Sequence, residues 1–347
     1  MKINKLIKTF LLASGALVVW EITITWWEKN KFELGTTYWQ TYFDSPTVEK
    51  SEQNRQVFSI ESTGVRIHID VFPGPKPDAP VVIFNHGAAG YCRLFVALAQ
   101  RFNDRGYTVV LPDQKGQGLS GGRRGDYSIA ECTQNIVDVA KWAKTRFPGL
   151  VLMAGGSVGG GLTYYAAAAG APVDAIACLN LFDFGNGLDG LQISRLAPVA
   201  KYPQLAALLR ACFELLKPLY WLRVPFNLFG AFDKLMDARD TVFQAQWDAD
   251  PVPPRLISLR ALASNLNTSP AVPFEANQIP TLVINQALDQ MVAISITRQN
   301  YERLAGEKSY LEVPFGHWSS QPEFWNMIVQ ACDEWFQKQD NKNGHSS

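Results

Sequence analysis

Six short apolar runs, at 81–84, 107–111, 150–154, 175–179, 281–285 and 309–313, constrain this 347-residue chain more than any other feature. Continuous apolar runs of this length mark strands buried on both faces, as in parallel sheets. Between them, apolar residues recur at helical spacing over 93–105, 128–146, 159–169, 292–304 and 322–337. Strand and helix in alternation predict an α/β fold: a mostly parallel central sheet with helices on both faces. Ahead of it, 57–72 carries two apolar runs about Thr63-Gly64, and Val65-Arg66-Ile67-His68-Ile69-Asp70-Val71 alternates with period two. That pattern predicts a β-hairpin forming an antiparallel edge.

The alternation stops between Asp183 and Gln278, where helical patterning with loops replaces the roughly two to six residues usual for a strand-to-helix connection. The sequence therefore assigns 55–182 and 279–337 to the core, 183–278 to an inserted helical lid, and 338–347 to a disordered tail. Within the lid, Leu205, Leu208, Leu209, Phe213, Leu216, Leu219 and Tyr220 share one helical face. Such a stripe reads first as core packing. Its second reading, together with Trp221, Phe226, Phe229 and Phe232, is the lining of an apolar substrate pocket.

Residues 1–30 form a segment of their own. Lys2, Lys5 and Lys8 precede an apolar stretch, 10–27, interrupted by Glu21 and closed by Trp26 and Trp27, the layout of a membrane-directed segment. A carboxylate inside a span costs about 2.5–3.5 kcal/mol on insertion scales. An uncleaved anchor or a helix lying in the interface is the preferred reading. Cleavage after Ser14-Gly15-Ala16 and a helix docked on the protein's own surface are the rivals. The leading lysines favour a catalytic domain outside the cytoplasm, membrane-associated or exported.

Composition excludes several classes. Lys plus Arg equal Asp plus Glu at 32 each, so no basic field for nucleic acid exists. The five cysteines are scattered, without C-x-x-C or Cys/His clustering, and indicate neither a zinc site nor a disulfide framework.

The chemistry concentrates at Gly155-Gly156-Ser157-Val158-Gly159, a G-x-S-x-G pattern set between the run ending at Ala154 and the helix beginning near Gly159. A serine in such a strand-to-helix turn is held in a strained bend, close to a helix N-terminus that favours developing negative charge. Its hydroxyl needs a base and a group that orients the base. His68 lies in the hairpin, His345 in the tail and His86 directly after the first core strand, which leaves His317 beyond the last strand. Asp289 is the only aspartate between Asp250 and His317 and follows the run 281–285. Glu302, Glu307 and Glu312 are poorer substitutes, falling on or after a helix or within a strand. The expected site is Ser157 as nucleophile, His317 as general base and Asp289 as orienting acid. Backbone amides of Ala88 and Val158 would form the oxyanion hole. His86 reads as a brace for the Ala88 loop.

Four segments together resemble the monoacylglycerol lipase and lysophospholipase branch of the α/β-hydrolases, sometimes grouped with serine aminopeptidases. They are Asn85-His86-Gly87-Ala88, the stretch from Pro112 to Ser120, Gly155 to Gly160, and the Asp289 and His317 loops. The resemblance spans about 55–337 and implies the α/β-hydrolase fold with a lid. Gln117 and Gly156 stand where that family usually has histidine, which predicts a larger and less charged neighbourhood for the serine.

These readings converge on a serine hydrolase acting on a small-molecule carboxylic ester with an apolar acyl chain, requiring no cofactor and no metal. Acyl transfer or peptide cleavage by the same three residues is the alternative, and a non-catalytic binding protein on the same fold is a third.

Overall fold

The computed structural model describes residues 2–342. The chain opens with helices α1 (Lys2–Gly35) and α2 (Ser45–Asn54) and continues through β1 (Gln56–Ser62), β2 (Val65–Phe72), β3 (Val81–Asn85), α3 (Val96–Asn103), β4 (Thr108–Pro112), α4 (Ile129–Arg146), β5 (Val151–Gly156), α5 (Val158–Ala168) and β6 (Ala175–Leu179). The segment that follows holds α6 (Asp189–Gln192), α7 (Ala197–Ala200), α8 (Pro203–Leu215), β7 (Arg223–Pro225), α9 (Thr241–Ala249), β8 (Leu256–Ser258) and α10 (Leu259–Asn267). The core resumes with β9 (Thr281–Gln286), α11 (Ile294–Arg303), β10 (Lys308–Val313) and α12 (Pro322–Lys342).

The main sheet runs β1-β2-β4-β3-β5-β6-β9-β10. β1 with β2 and β2 with β4 pair antiparallel, and the remaining neighbours are parallel. Strands β3 to β6 are buried at every position, which is why they read as unbroken apolar runs. The hairpin turns on Thr63 and Gly64, both at positive φ, as a two-residue turn matched to strand twist requires.

In the inserted segment β7 and β8 form a separate antiparallel pair. The apolar stripe divides. Phe213 packs with Leu259, Ala263 and Leu266, whereas Leu205 and Leu208 face solvent, Leu208 at 60% exposure. Neither core nor pocket describes those two leucines. At the other end, α12 continues to Lys342 rather than stopping at 337. Lys338 and Lys342 both reach Glu307, at 3.2 and 2.5 Å, and hold its last turn against the start of β10. Of the tail expected from 338, residues 343–347 lie outside the described residues.

Among the described residues no helix is long and apolar enough to cross a membrane. Glu21, which interrupts the apolar stretch in the sequence, docks α1 on the protein instead. Its Oε1 accepts the Arg223 backbone amide at 2.6 Å and its Oε2 the Arg223 Nε at 3.1 Å. Glu28 pairs with the same guanidinium, and Thr25 Oγ1 accepts from Nη2 at 2.7 Å. Spacing of i, i+4, i+7 puts Glu21, Thr25 and Glu28 on one helical face. Burial pushes the Glu28 carboxyl up, against the pull of Arg223.

Candidate active site

Strand β5 ends at Gly156 and α5 begins at Val158, so Ser157 alone makes the turn, at φ 57° and ψ −131°. This conformation is strained for any residue with a Cβ and persists only where the surroundings over-determine it. They do so here. Ser157 N donates to Leu179 O on β6 at 2.8 Å, and Gly160 N donates to Ser157 O at 2.9 Å. The loop after β3 passes so close that a Cβ on Gly87 would lie 2.8 Å from Ser157 Cβ, and only glycine fits.

Asp289 sits in the turn after β9. Its Oδ1 accepts the amides of Met291 and Val292, each at 2.8 Å, which fixes the carboxylate and aims Oδ2 at His317. His317 Nδ1 lies 2.7 Å from that oxygen, and both side chains are wholly buried. With Nδ1 carrying the proton, Nε2 is left as the acceptor a base needs. That atom is buried and makes no hydrogen bond in this structure. The fold thus joins Asp289 to His317 but leaves the Ser157–His317 bond unmade. Bonds of this kind tighten when substrate arrives.

The His317 loop is held from the lid, by residues that no motif in the sequence marks. Asp237 N donates to Trp318 O at 2.6 Å, Asp237 Oδ2 accepts Gly316 N at 2.7 Å, and Ser319 Oγ donates to Asp240 Oδ2 at 2.7 Å. Arg239, bonded to both Asp237 oxygens, holds that carboxyl well below the usual carboxylate range, with the Gly316 and Arg239 amides adding to the effect against burial.

His86 is a brace. Nδ1 donates to Gly87 O at 2.8 Å and Nε2 accepts Gln114 N at 3.1 Å. Complete burial pushes its pKa down, which favours the neutral ring this pattern needs. Gln117 Oε1 accepts Ala89 N at 3.0 Å, and Gln114 Nε2 donates to His86 O at 2.8 Å. The Ala89 amide is therefore engaged, and Ala88, partly open, lines the cavity beside the serine. Val158 is the first amide of α5 and has no intrahelical acceptor.

Ser157 opens onto an apolar cavity of about 120 Å³ between core and lid. Ala88, Leu94, Phe95, Val158, Met291 and Trp318 line it from the core, and Ile193, Phe226, Phe229, Phe232 and Trp247 from the lid. Trp221 is not among the lining residues. Gly156 does not enlarge this space, contrary to expectation. The Trp318 ring fills it, and a Cβ on Gly156 would lie 2.4 Å from Trp318 Cη2. Away from the cavity, His68, Asp70 and Cys92 approach one another as metal ligands could. The Asp70 oxygens, however, bond His68 Nε2 at 2.8 Å and Arg93 Nε at 3.0 Å, so a guanidinium already balances the buried carboxylate.

The serine turn, the buried Asp–His pair and the loop after β3 all lie within or next to the stretch of chain that matches known proteins. The family model described as serine aminopeptidase, S33, matches residues 75–316. The chain belongs to this family. Serine aminopeptidase S33 proteins are α/β-hydrolases, and the eight-stranded, mostly parallel sheet agrees. A monoacylglycerol lipase of Mycolicibacterium smegmatis is 29% identical over 259 residues, covering 72% of this chain and 84% of that protein. Two solved structures share the fold. One is a monoacylglycerol lipase of Paleococcus ferrophilus, with TM-score 0.60 and 18% identity over 81% of this chain and 99% of that one. The other is a soluble variant of the monoglyceride lipase of Saccharomyces cerevisiae bound to a substrate analogue, with TM-score 0.65 and 15% identity over 82% and 96%. Against its S33 relatives, α1 lies outside the matched residues.

Proposed function

We propose that this S33-family chain is a serine hydrolase that cleaves carboxylic esters with apolar acyl chains, acylglycerols being the leading class. One observation carries the reading: Ser157, at the strained turn into α5, opens on an apolar cavity at the sheet edge where His317 Nδ1 meets Asp289 Oδ2 at 2.7 Å. In this account the acyl chain lies among Phe226, Phe232 and Trp247, and the carbonyl carbon rests on Ser157 Oγ. Oγ attacks, His317 Nε2 takes its proton, and Asp289 steadies the imidazolium. The oxyanion is met by the amides of Ala88 and Val158. Collapse of the tetrahedral intermediate breaks the bond to the alcohol oxygen, which leaves with the proton from His317. Water then attacks the acyl-enzyme, with His317 again as base, and the carboxylic acid departs as Ser157 Oγ takes the proton back from His317. No step calls on a metal or cofactor.

The cavity favours an ester over a peptide with a free amino terminus. An ammonium group would need a counter-charge, and among the described residues lining the cavity there is no carboxylate. The names of the bacterial, archaeal and yeast relatives support acylglycerols specifically. A p-nitrophenyl ester series of increasing chain length tests the reading: hydrolysis that rises from acetyl to medium chains and vanishes in Ser157→Ala supports it. Equal rates in the two proteins would remove it.

A further inference from the structure

We propose that the outward face of α1 is a docking surface for an anionic lipid bilayer, along which the helix lies while remaining clamped to the lid. Surface helices ordinarily turn charges to water and apolar residues to the protein. Over 18–28, α1 does the reverse. Glu21, Thr25 and Glu28 turn inward and close on Arg223, whose side chain is fully buried. Val19, Ile22 and Trp26, at spacing i, i+3, i+7, lie on the opposite face and are 63%, 65% and 66% exposed. The protein has consumed the polar side of the helix, so the side left for a partner is apolar.

Three observations select a lipid surface as the occupant. The twenty residues before Glu21 carry Lys2, Lys5 and Lys8 and no carboxylate, a charge that complements anionic headgroups, whereas the whole chain has no net charge with which to attract a second copy. Trp26 sits on the exposed face, and tryptophan is the residue type that settles at the membrane–water boundary. The helix lies along the surface rather than across it because Glu21 and Glu28 are tied to Arg223 on the protein side.

The clamp gives the docking a consequence for the site. Arg223 begins β7, three residues before Phe226, which lines the catalytic cavity, and Arg223 Nη1 also donates to Arg124 O in the core at 3.0 Å. A bilayer that holds α1 therefore holds the lid-side cavity mouth near the lipid. This consequence rests on the esterase reading, and the docking itself does not.

Flotation of the full-length protein with vesicles of phosphatidylcholine alone or mixed with phosphatidylglycerol is the test. Wild type is expected to float with the mixed vesicles, more than with neutral ones. The double variant Ile22→Glu/Trp26→Glu should lower that partitioning at least about tenfold. Val57→Glu, on the exposed edge strand β1, should leave it within about twofold. All three proteins should hydrolyse a water-soluble short-chain ester alike, and only the double variant should lose activity on a long-chain ester embedded in vesicles. Wild type that stays unbound, or a double variant that floats as well as wild type, overturns the proposal. So does wild type that resists carbonate extraction, which means spanning, or a wild-type dimer that the double variant dissolves, which makes the face a contact between copies. Wild type that floats yet cleaves neither ester keeps the docking surface and removes the esterase reading.

Discussion

The indole of Trp318, the residue after His317, lies against Gly156, the residue before Ser157, and occupies the space a side chain there would need. A tryptophan from the opposite loop thus fills the room that the glycine before the serine leaves. Gly156→His should overpack this contact at a cost of roughly 1–3 kcal/mol, felt as a drop of about ten- to a hundredfold in kcat/KM. Adding Trp318→Gly should recover part of the loss. Steady-state kinetics on the four proteins of the cycle read this out, and losses that simply add would mean the two positions do not share the space.

Gln117 supplies the acceptor for the Ala89 amide in the loop that carries Ala88. Gln117→Met keeps the volume but strands a buried N–H, costing about 1–3 kcal/mol. Thermal unfolding should show a lower Tm, and kcat should fall while KM for a short-chain ester changes little, because in the proposed mechanism the loop positions the oxyanion donor rather than the acyl chain. Unchanged Tm and kcat would show that the loop holds its shape without Gln117.

Asp237 joins the lid to the His317 loop, and its sign is that of a depressed carboxylate. Its folded pKa lies below the unfolded value of about 3.9, so its contribution is complete above that value and is lost as pH falls below it toward the folded pKa. The Tm difference between wild type and Asp237→Asn should therefore stay constant from neutral pH down to about 5 and shrink below about 4. A difference that already shrinks between pH 7 and 5 would mean that another group supplies it.

What the sequence made legible follows from where each interaction sits along the chain. Strands β3 to β6 are buried on both faces and declare themselves as apolar runs, and the glycines about Ser157 mark the turn into α5 because local backbone demands them. Asp289 and His317 stand out by their positions after successive strands. Asp237 does not, because it bonds Gly316 across 79 residues and nothing near it in sequence reports the contact. For the same reason a glycine at 156 read as empty space, when the ring that fills it comes from residue 318. Glu21 read as a flaw in an apolar segment, since its partner, Arg223, lies 202 residues away.

That last pair predicts a large effect far from the serine. Arg223→Met leaves Glu28 buried without its cation and Glu21 with only Arg123, at 3.5 Å, and should cost about 3–5 kcal/mol of stability. Replacing all three, as Glu21→Gln/Glu28→Gln/Arg223→Met, should return most of it, because the buried charges vanish together. Chemical denaturation of wild type and both variants measures this, and an Arg223→Met protein as stable as wild type would show that α1 does not depend on the clamp.

The central claim is that Ser157 is activated by His317 and Asp289. A fluorophosphonate probe reacts with an activated serine, so intact mass and peptide mapping of labelled wild type, Ser157→Ala and His317→Ala test it directly. Stoichiometric labelling confined to Ser157, absent in the alanine variant and slowed at least about a hundredfold in His317→Ala, is the predicted result. A folded wild type that takes up no label, or that labels equally fast without His317, would contradict it.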